Sequence, residues 1–303
     1  MKLKKDWLDR QNIIIDDINK LEISMFQKIP KSIRINTLKI KKKDILEMLN
    51  KKGWKFKQVP FFEDGYIFEN DVYGIGNSLE HFLGYIYKQE VASMVPPIIL
   101  NPKNEIILDM AAAPGSKTTQ IAQLMNNEGC IVANEKNQKR IYSLQENIQR
   151  CGVVNTLIAK TDGRNFGKLN IEFDKILLDA PCTGTGIIMK SPKTAKIWSE
   201  KTTKNYSELQ KQLIKSAYNS LKDSGMIVYS TCSLEPEENE DVVNYAIQEL
   251  GMKVKDIKLK NFKTRKSITQ WKNKKFDNEV EKAVRIYPHD NNTTGFFIAK
   301  LIK

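Results

Sequence analysis

The sequence is poor in residues that build metal and disulfide sites. Its 303 residues include four cysteines (Cys130, Cys151, Cys182 and Cys232) and two histidines (His81 and His289), with no Cys-x-x-Cys pair. Structural zinc takes Cys and His ligands in closely spaced pairs, so no metal centre is expected. No run approaches the roughly 20 apolar residues of a membrane-crossing helix. The opening MKLKKDWLDR lacks the apolar core of an export signal, so a cytoplasmic chain with free thiols is expected. A G-x-G-x-x-G loop is missing, and so is a Walker A loop. There are no internal repeats and no low-complexity tract. With 41% apolar and 28% charged residues, the composition excludes global disorder.

What the chain has in excess is positive charge, +13 in all. Residues 1–60 hold 16 Lys/Arg against 7 Asp/Glu, and residues 251–280 hold 10 against 3. The stretch between them is net acidic. Basic flanks attract polyanions, most often nucleic acid; a lysine-rich, soluble surface is the alternative reading. Segments 39–43, 51–57 and 258–275 interleave lysine with Trp54, Phe56, Phe262 and Trp271, a mixture suited to phosphates and unpaired bases unless these aromatics are core.

From about residue 105 the pattern repeats strand, turn, helix. Strands are expected at 105–110, 130–135, 156–160, 175–180, 226–231, 252–258 and 295–302, with helices at 116–125, 137–151, 205–221 and from about Pro236. Such a series predicts a doubly wound, mostly parallel, seven-stranded Rossmann-like sheet over residues 96–303. Residues 1–95 predict a small basic α+β domain, with a helix at 6–23, a strand at 32–39 and a helix at 43–52. Residues 78–100 read as helical up to Pro96-Pro97.

Ligands of doubly wound sheets bind beyond the carboxyl ends of the strands. Here those ends carry Asp109, Glu135, Asp162 and Asp179 in order. The first turn, Ala111-Ala112-Ala113-Pro114-Gly115-Ser116-Lys117, is built of small residues that let the backbone approach a ligand. Glu135 suits a ribose diol and Asp162 an adenine amino group, so the set fits S-adenosylmethionine; each acid alone also suits a helix cap. Cys182 and Cys232 follow the fourth and fifth strands, where catalytic groups collect. Two thiols beside a methyl donor suit methylation of cytosine carbon 5. One thiolate adds to carbon 6 while the other helps release, and spacing alone does not say which does which.

The motifs DMAAAPGSKT, LLDAPCTGTG and VYSTCSLEPEENE resemble those of the Nol/Nop/Sun family of RNA cytosine-5 methyltransferases, as do RINTLK, KQEVASMVPP and PHDNNTTGFFIAKL. The resemblance covers roughly residues 30–303. It implies Cys232 as the nucleophile, Cys182 in product release and Asp179 beside the cytosine and the cofactor. Ala111 to Lys117 would cradle S-adenosylmethionine, Glu135 would hold its ribose and Asp162 its adenine. Lys117 would also reach the target base, and Arg140 the cofactor. By analogy with DNA cytosine methyltransferases, Cys182 and Cys232 would exchange roles. Where the family often has Cys-Ala-Ala, Gly-Gly-Lys and an Asp, this chain has Ala111-Ala112-Ala113, Gly115-Ser116-Lys117 and Glu135, changes that keep the loop small and the acid in place. Its compactness resembles archaeal-type tRNA methylases, which implies a monomer acting on tRNA, with ribosomal RNA the other candidate. Two further readings of the same architecture are a non-catalytic RNA-binding factor and an NAD-dependent oxidoreductase, which would not need the paired thiols.

Overall fold

The computed structural model describes residues 3–303. Helices α1 (Lys5–Asn12) and α2 (Ile18–Ser24) replace the single helix expected at 6–23. The apolar period runs on, but the Asp17 carboxylate accepts a bond from the Lys20 N–H at 3.0 Å and starts a second helix. Next come β1 (Ser32–Ile35), α3 (Lys42–Lys51), β2 (Phe56–Val59), β3 (Phe62–Phe68), α4 (Leu79–Phe82) and β4 (Ile86–Lys88). The four strands form one sheet in the order β2-β3-β1-β4. The expected helix at 78–100 is thus broken by a strand. Pro96 and Pro97 begin α5 (Val95–Leu100) rather than end a helix, because a first-turn proline lacks only an N–H that would be unpaired anyway.

The second sheet carries β5 (Ile106–Asp109), α6 (Ser116–Leu124), β6 (Cys130–Asn134), α7 (Gln138–Arg150), β7 (Thr156–Ala159) and β8 (Phe173–Asp179). After α8 (Lys193–Ile197) and α9 (Glu200–Asn219) come β9 (Leu221–Thr231), α10 (Glu240–Leu250) and β10 (Lys253–Lys255). Short strands follow: β11 (Arg265–Lys266), the pair β12 (Gln270–Trp271) and β13 (Lys274–Lys275), and β14 (Val284–Ile286). The chain closes with α11 (Pro288–Asn291) and β15 (Phe296–Ile302). The large sheet runs β7-β6-β5-β8-β9-β15-β14-β11, with β10 also on β15. Strands β5 to β9 are parallel and β15 is antiparallel to β9. The seven expected strands are present, and β11 and β14 extend the sheet to nine. Chain order reverses between β5 and β8, so their carboxyl ends, Asp109 and Asp179, flank the switch point.

Both faces of the large sheet are covered. Leu108, Ile176, Leu178 and Ile227 pack on one side, and Ile107, Leu177 and Val228 on the other, all fully buried. Each contributes roughly 1.5–3 kcal/mol of transfer free energy. Two of the four interleaved aromatics expected to meet RNA belong to the core instead. Phe262 is buried beside Phe61, and buried Trp271 donates its ring N–H to Glu237 at 2.9 Å. Trp54 and Phe56 are half-buried edge-on to Phe68.

Arg285 on β14 is fully buried and bonds Glu240, the first residue of α10, through two N–H groups at 2.5 Å each. It also donates to the Leu234 carbonyl at 3.0 Å, tying the sheet edge to the loop after β9. Glu240→Ala leaves a buried guanidinium without its carboxylate. It is expected to cost about 3–5 kcal/mol in urea unfolding; a loss under about 1 kcal/mol would mean the pair is dispensable.

Candidate active site

A cleft of about 250 Å³ opens over the carboxyl ends of β5, β6, β8 and β9. Of the residues singled out from the sequence, Ala111, Ala113, Glu135, Arg140, Asp162, Asp179, Cys182 and Cys232 line it. Ala112, Pro114, Gly115 and Ser116 belong to the supporting loop and do not line it. The Ala112 N–H bonds the Asn134 carbonyl at 2.8 Å, and the Pro114 carbonyl accepts from Asn147 at 2.9 Å. Gly115 has φ +99°, a left-handed conformation that admits glycine readily, and α6 starts there.

The cleft's acids are held before any ligand arrives. Glu135 is buried; it accepts from the Asn137 N–H at 2.8 Å and pairs with Arg140 at 2.9 Å. The same guanidinium donates to the Ala113 carbonyl at 2.5 Å, joining the first two strand ends. Arg164 donates to both Asp162 oxygens, at 2.9 and 2.8 Å, and these bonds hold that carboxyl well below the usual range. A carboxylate accepts about four hydrogen bonds, so both acids keep capacity for hydroxyl or amino donors. Small walls, a diol-sized acid and a second acid further along fit S-adenosylmethionine. Asp109 lies behind the loop. One of its oxygens accepts from Thr118 at 2.6 Å and the other is buried without a partner; burial pushes its carboxyl up to about 7.

Asp179 is gripped from two sides. Lys117, from the first turn of α6, donates to one oxygen at 2.7 Å, and Ser230, from β9, to the other at 2.7 Å. Lys117 does not line the cleft but reaches its rim through this pair. The Cys182 and Cys232 sulfurs stand 3.3 Å apart, beyond adjacent parallel strands β8 and β9. The bond to Cys232 and then burial raise the Cys182 thiol well above its ordinary pKa. Gly186 donates to the Cys232 carbonyl at 2.9 Å, and Gly295 donates to that of Gly186 at 2.8 Å. A Cβ on Gly186 would lie 2.5 Å from the Gly295 oxygen, so no larger residue fits between these loops. By contrast Cys151 is buried and packs in the core, as its helical spacing predicts.

Several contributing residues escape a sequence reading. Asn134, one position before Glu135, donates to the Met110 carbonyl at 3.0 Å and accepts from the Thr161 N–H at 3.1 Å, so it fastens three strand ends together. Its polar side chain at a strand end was the available signal. Leu209 and Leu213 of α9 supply the cleft's apolar wall and carry no local signal. The acids 235–238 sit before α10, not inside it. Glu235 turns back to Trp7 at 2.7 Å and Arg10 at 3.0 Å. Glu238 joins the two cysteine loops: it accepts from the Thr183 N–H at 2.9 Å, Ser233 at 2.8 Å and Gln210 at 3.0 Å, and also from the Thr183 hydroxyl.

Burial pushes the Glu238 carboxyl up to about 7 against those bonds. Its folded-state pKa lies above the unfolded value near 4.5, so the native state holds this proton more tightly. The stability it confers is complete below about pH 4.5 and is lost as pH rises through 7. Glu238→Gln keeps one acceptor for the Thr183 and Gln210 N–H groups and turns its amide NH2 toward hydroxyls that can rotate to accept. The variant is expected to flatten stability against pH between 4.5 and 7 in urea titrations. An unchanged slope would put the proton on another group.

Comparison with known proteins agrees with this architecture. Residues 97–302 match the family described as 16S rRNA methyltransferase RsmB/F, and residues 5–91 match the N-terminal domain of 16S rRNA methyltransferase RsmF. A tRNA (cytosine(49)-C(5))-methyltransferase of Pyrococcus abyssi is 42% identical, over 100% of this chain and 97% of its own. A ribosomal RNA small subunit methyltransferase F of Shewanella piezotolerans is 42% identical over 90% of this chain, which spans only 57% of that longer protein. The structure of NSun6 from Pyrococcus horikoshii with SFG superposes with a TM-score of 0.87 at 28% identity, covering 99% of this chain and 98% of that one. A methyltransferase homolog protein from the same organism gives 0.86 at 37%, covering 99% of this chain and all of its own. With both halves matched and a relative of this identity along the full length, the chain belongs to the RsmB/F family, the Nol/Nop/Sun RNA cytosine-5 methyltransferases.

Proposed function

We propose that this enzyme methylates carbon 5 of a cytosine in tRNA through a covalent adduct on Cys232. The observation that supports the reading is the 3.3 Å approach of two thiols at the rim of a cleft lined by strand-end acids. In this proposal Ala111 to Lys117, Glu135, Arg140, Asp162 and Asp179 hold S-adenosylmethionine, which supplies an electrophilic methyl group. Residues 1–95 form the RNA-binding part and 96–303 the catalytic part, and the enzyme works as a cytoplasmic monomer. Among the described residues no helix is long and apolar enough to cross a membrane.

The Cys232 sulfur adds to cytosine carbon 6, and the ring electrons move to carbon 5, making it a nucleophile for the methyl group. Asp179, held by Lys117 and Ser230, accepts from the cytosine amino group, and the paired Lys117 ammonium places a positive charge near the ring to stabilise the adduct. A base then takes the carbon 5 proton, its bonding electrons re-form the double bond between carbons 5 and 6, and the Cys232 sulfur leaves carbon 6 as a thiolate; Cys182 assists this release. The choice of Cys232 as the attacking member follows the family resemblance of its Ser-Thr-Cys-Ser motif.

The tRNA assignment follows the archaeal tRNA enzyme, the relative matched over 97% of its length. Ribosomal RNA is the second reading, favoured by the match of both halves to RsmF. Incubation with labelled donor and either tRNA or small-subunit rRNA transcripts, followed by bisulfite mapping, tests both. We expect label at a tRNA cytosine; label in rRNA alone would overturn the tRNA assignment, and label in neither the activity.

A further inference from the structure

A basic surface beside the loop after Cys182 lies outside the lysine-rich segments of the sequence. A groove of about 380 Å³ lies between the end of β4 and the loop after Cys182; Lys28, Lys31, Lys88, Glu90, Met189 and Lys190 are among its walls. Hydrogen bonds join it to the Cys232 backbone. The Cys232 carbonyl is bonded by Gly186, whose own carbonyl accepts from Gly295. The neighbouring Thr294 donates its hydroxyl to Glu90 at 2.7 Å. Lys190 belongs to the Gly186 loop, its N–H bonded to the Ile187 carbonyl at 2.9 Å.

The groove's acids are already engaged. Glu90 accepts from the hydroxyls of Thr293 and Thr294 and from the Ala92 N–H. Asp71, at the outer end, is shared by Lys28 at 2.7 Å and Lys31 at 3.0 Å. Lys88 and Lys190 have no ion pair and no side-chain hydrogen bond among the described residues, whereas Lys42, Lys211 and Lys274 each pair with a carboxylate. Beside Lys31 stands Tyr73, 80% exposed, with the Lys31 ammonium 4.8 Å from its ring centre. Phe26, two residues before Lys28, is 48% exposed.

Two unpaired cations in a groove whose wall residue Lys31 sits against an uncovered aromatic ring match one chemistry, a flexible polyanion that also bears flat rings. An acidic peptide offers the charge but nothing to stack on Tyr73. We propose that this groove holds the single-stranded RNA adjoining the target cytosine, with phosphates on Lys88 and Lys190 and a base on Tyr73. The proposal rests on the reading that the chain acts on RNA at Cys232. It also moves the aromatic contact surface away from Phe262 and Trp271, which the core uses.

The probe is a fluorescent eight-nucleotide oligocytidylate, titrated by anisotropy against the full chain across a salt series. Lys88→Ala with Lys190→Ala is expected to weaken binding about tenfold and to lower the salt slope by about 1.4, for two phosphate contacts on a single strand. Tyr73→Ala is expected to weaken binding several-fold with the slope unchanged, and Tyr73→Phe to restore it. The control pair Lys103→Ala and Lys168→Ala, exposed just before β5 and β8 at the opposite strand ends from the thiols, should match the wild type. Wild-type affinity and slope in the Lys88/Lys190 variant would overturn the proposal, as would an equal loss in the control. Cys232→Ala separates the two readings, since it should bind the oligonucleotide normally while transferring no methyl group. Groove effects in an enzyme that methylates no RNA would sink the catalytic reading and leave the groove standing.

Discussion

Cys232→Ala is expected to lower methyl transfer to RNA by about a thousandfold or more, because without a nucleophile carbon 5 of cytosine has no route to reactivity. Affinity for S-adenosylmethionine should stay within a few-fold of wild type. Cys232 contributes one edge of the cleft, while the other walls come from Ala111, Glu135, Arg140 and Asp162. Fold stability should change little, since the sulfur is only half-buried and its carbonyl, not its side chain, carries the bond from Gly186. Single-turnover transfer from labelled donor, with donor binding measured by calorimetry, reads both quantities. Wild-type turnover would remove Cys232 from the mechanism. Equal loss of donor affinity and rate would assign it to the cofactor instead.

Cys182→Ala should behave in the opposite way. If Cys182 serves release, its loss lets addition and methylation proceed and stalls the enzyme on its product. An RNA–protein band that survives denaturant should accumulate, and multiple turnover should fall about a hundredfold. The double variant with Cys232→Ala should form no band. Should Cys182 attack instead, the phenotypes exchange: Cys182→Ala becomes inert and Cys232→Ala is trapped. The 3.3 Å separation leaves both assignments sterically open, so the trapped band decides between them.

Much of the large sheet was legible because each parallel strand is a continuous apolar run ending in an acid or a special turn. Asp109, Glu135, Asp162 and Asp179 therefore marked the ligand face without reference to tertiary contacts. The thiols were legible by position after strand ends, but their proximity depends on β8 and β9 being neighbours, which the architecture supplies. What escaped depends on long-range contacts. β4 is a three-residue strand whose partner is β1, some fifty positions earlier, so nothing local separates it from the helices around it. β11 spans two residues and β14 three; β14 pairs with the edge of β15, and β11 in turn with β14. Trp271 and Phe262 look like exposed stacking residues among lysines, yet Glu237 and Phe61, far away in the chain, draw them inward. Glu238 reads as one acid in a run of several, and only the fold reveals that it spans two loops.

Between the two sheets lies a seam of buried polar groups centred on Arg34 of β1. Its guanidinium bonds Gln89 at 2.9 Å and Thr119 of α6 at 2.8 Å, and also reaches Gln123 of α6. Gln89 in turn donates to Gln120 at 2.6 Å, and Gln123 to Asp64 at 2.9 Å. A chimera that grafts the first 95 residues of one homologue onto the catalytic half of another must therefore transplant α6's Thr119, Gln120 and Gln123 with them. The helix that begins at the Ala111–Lys117 loop is also the joint on which the first sheet is mounted, so a change at Thr119, Gln120 or Gln123 is felt on both sides of the seam.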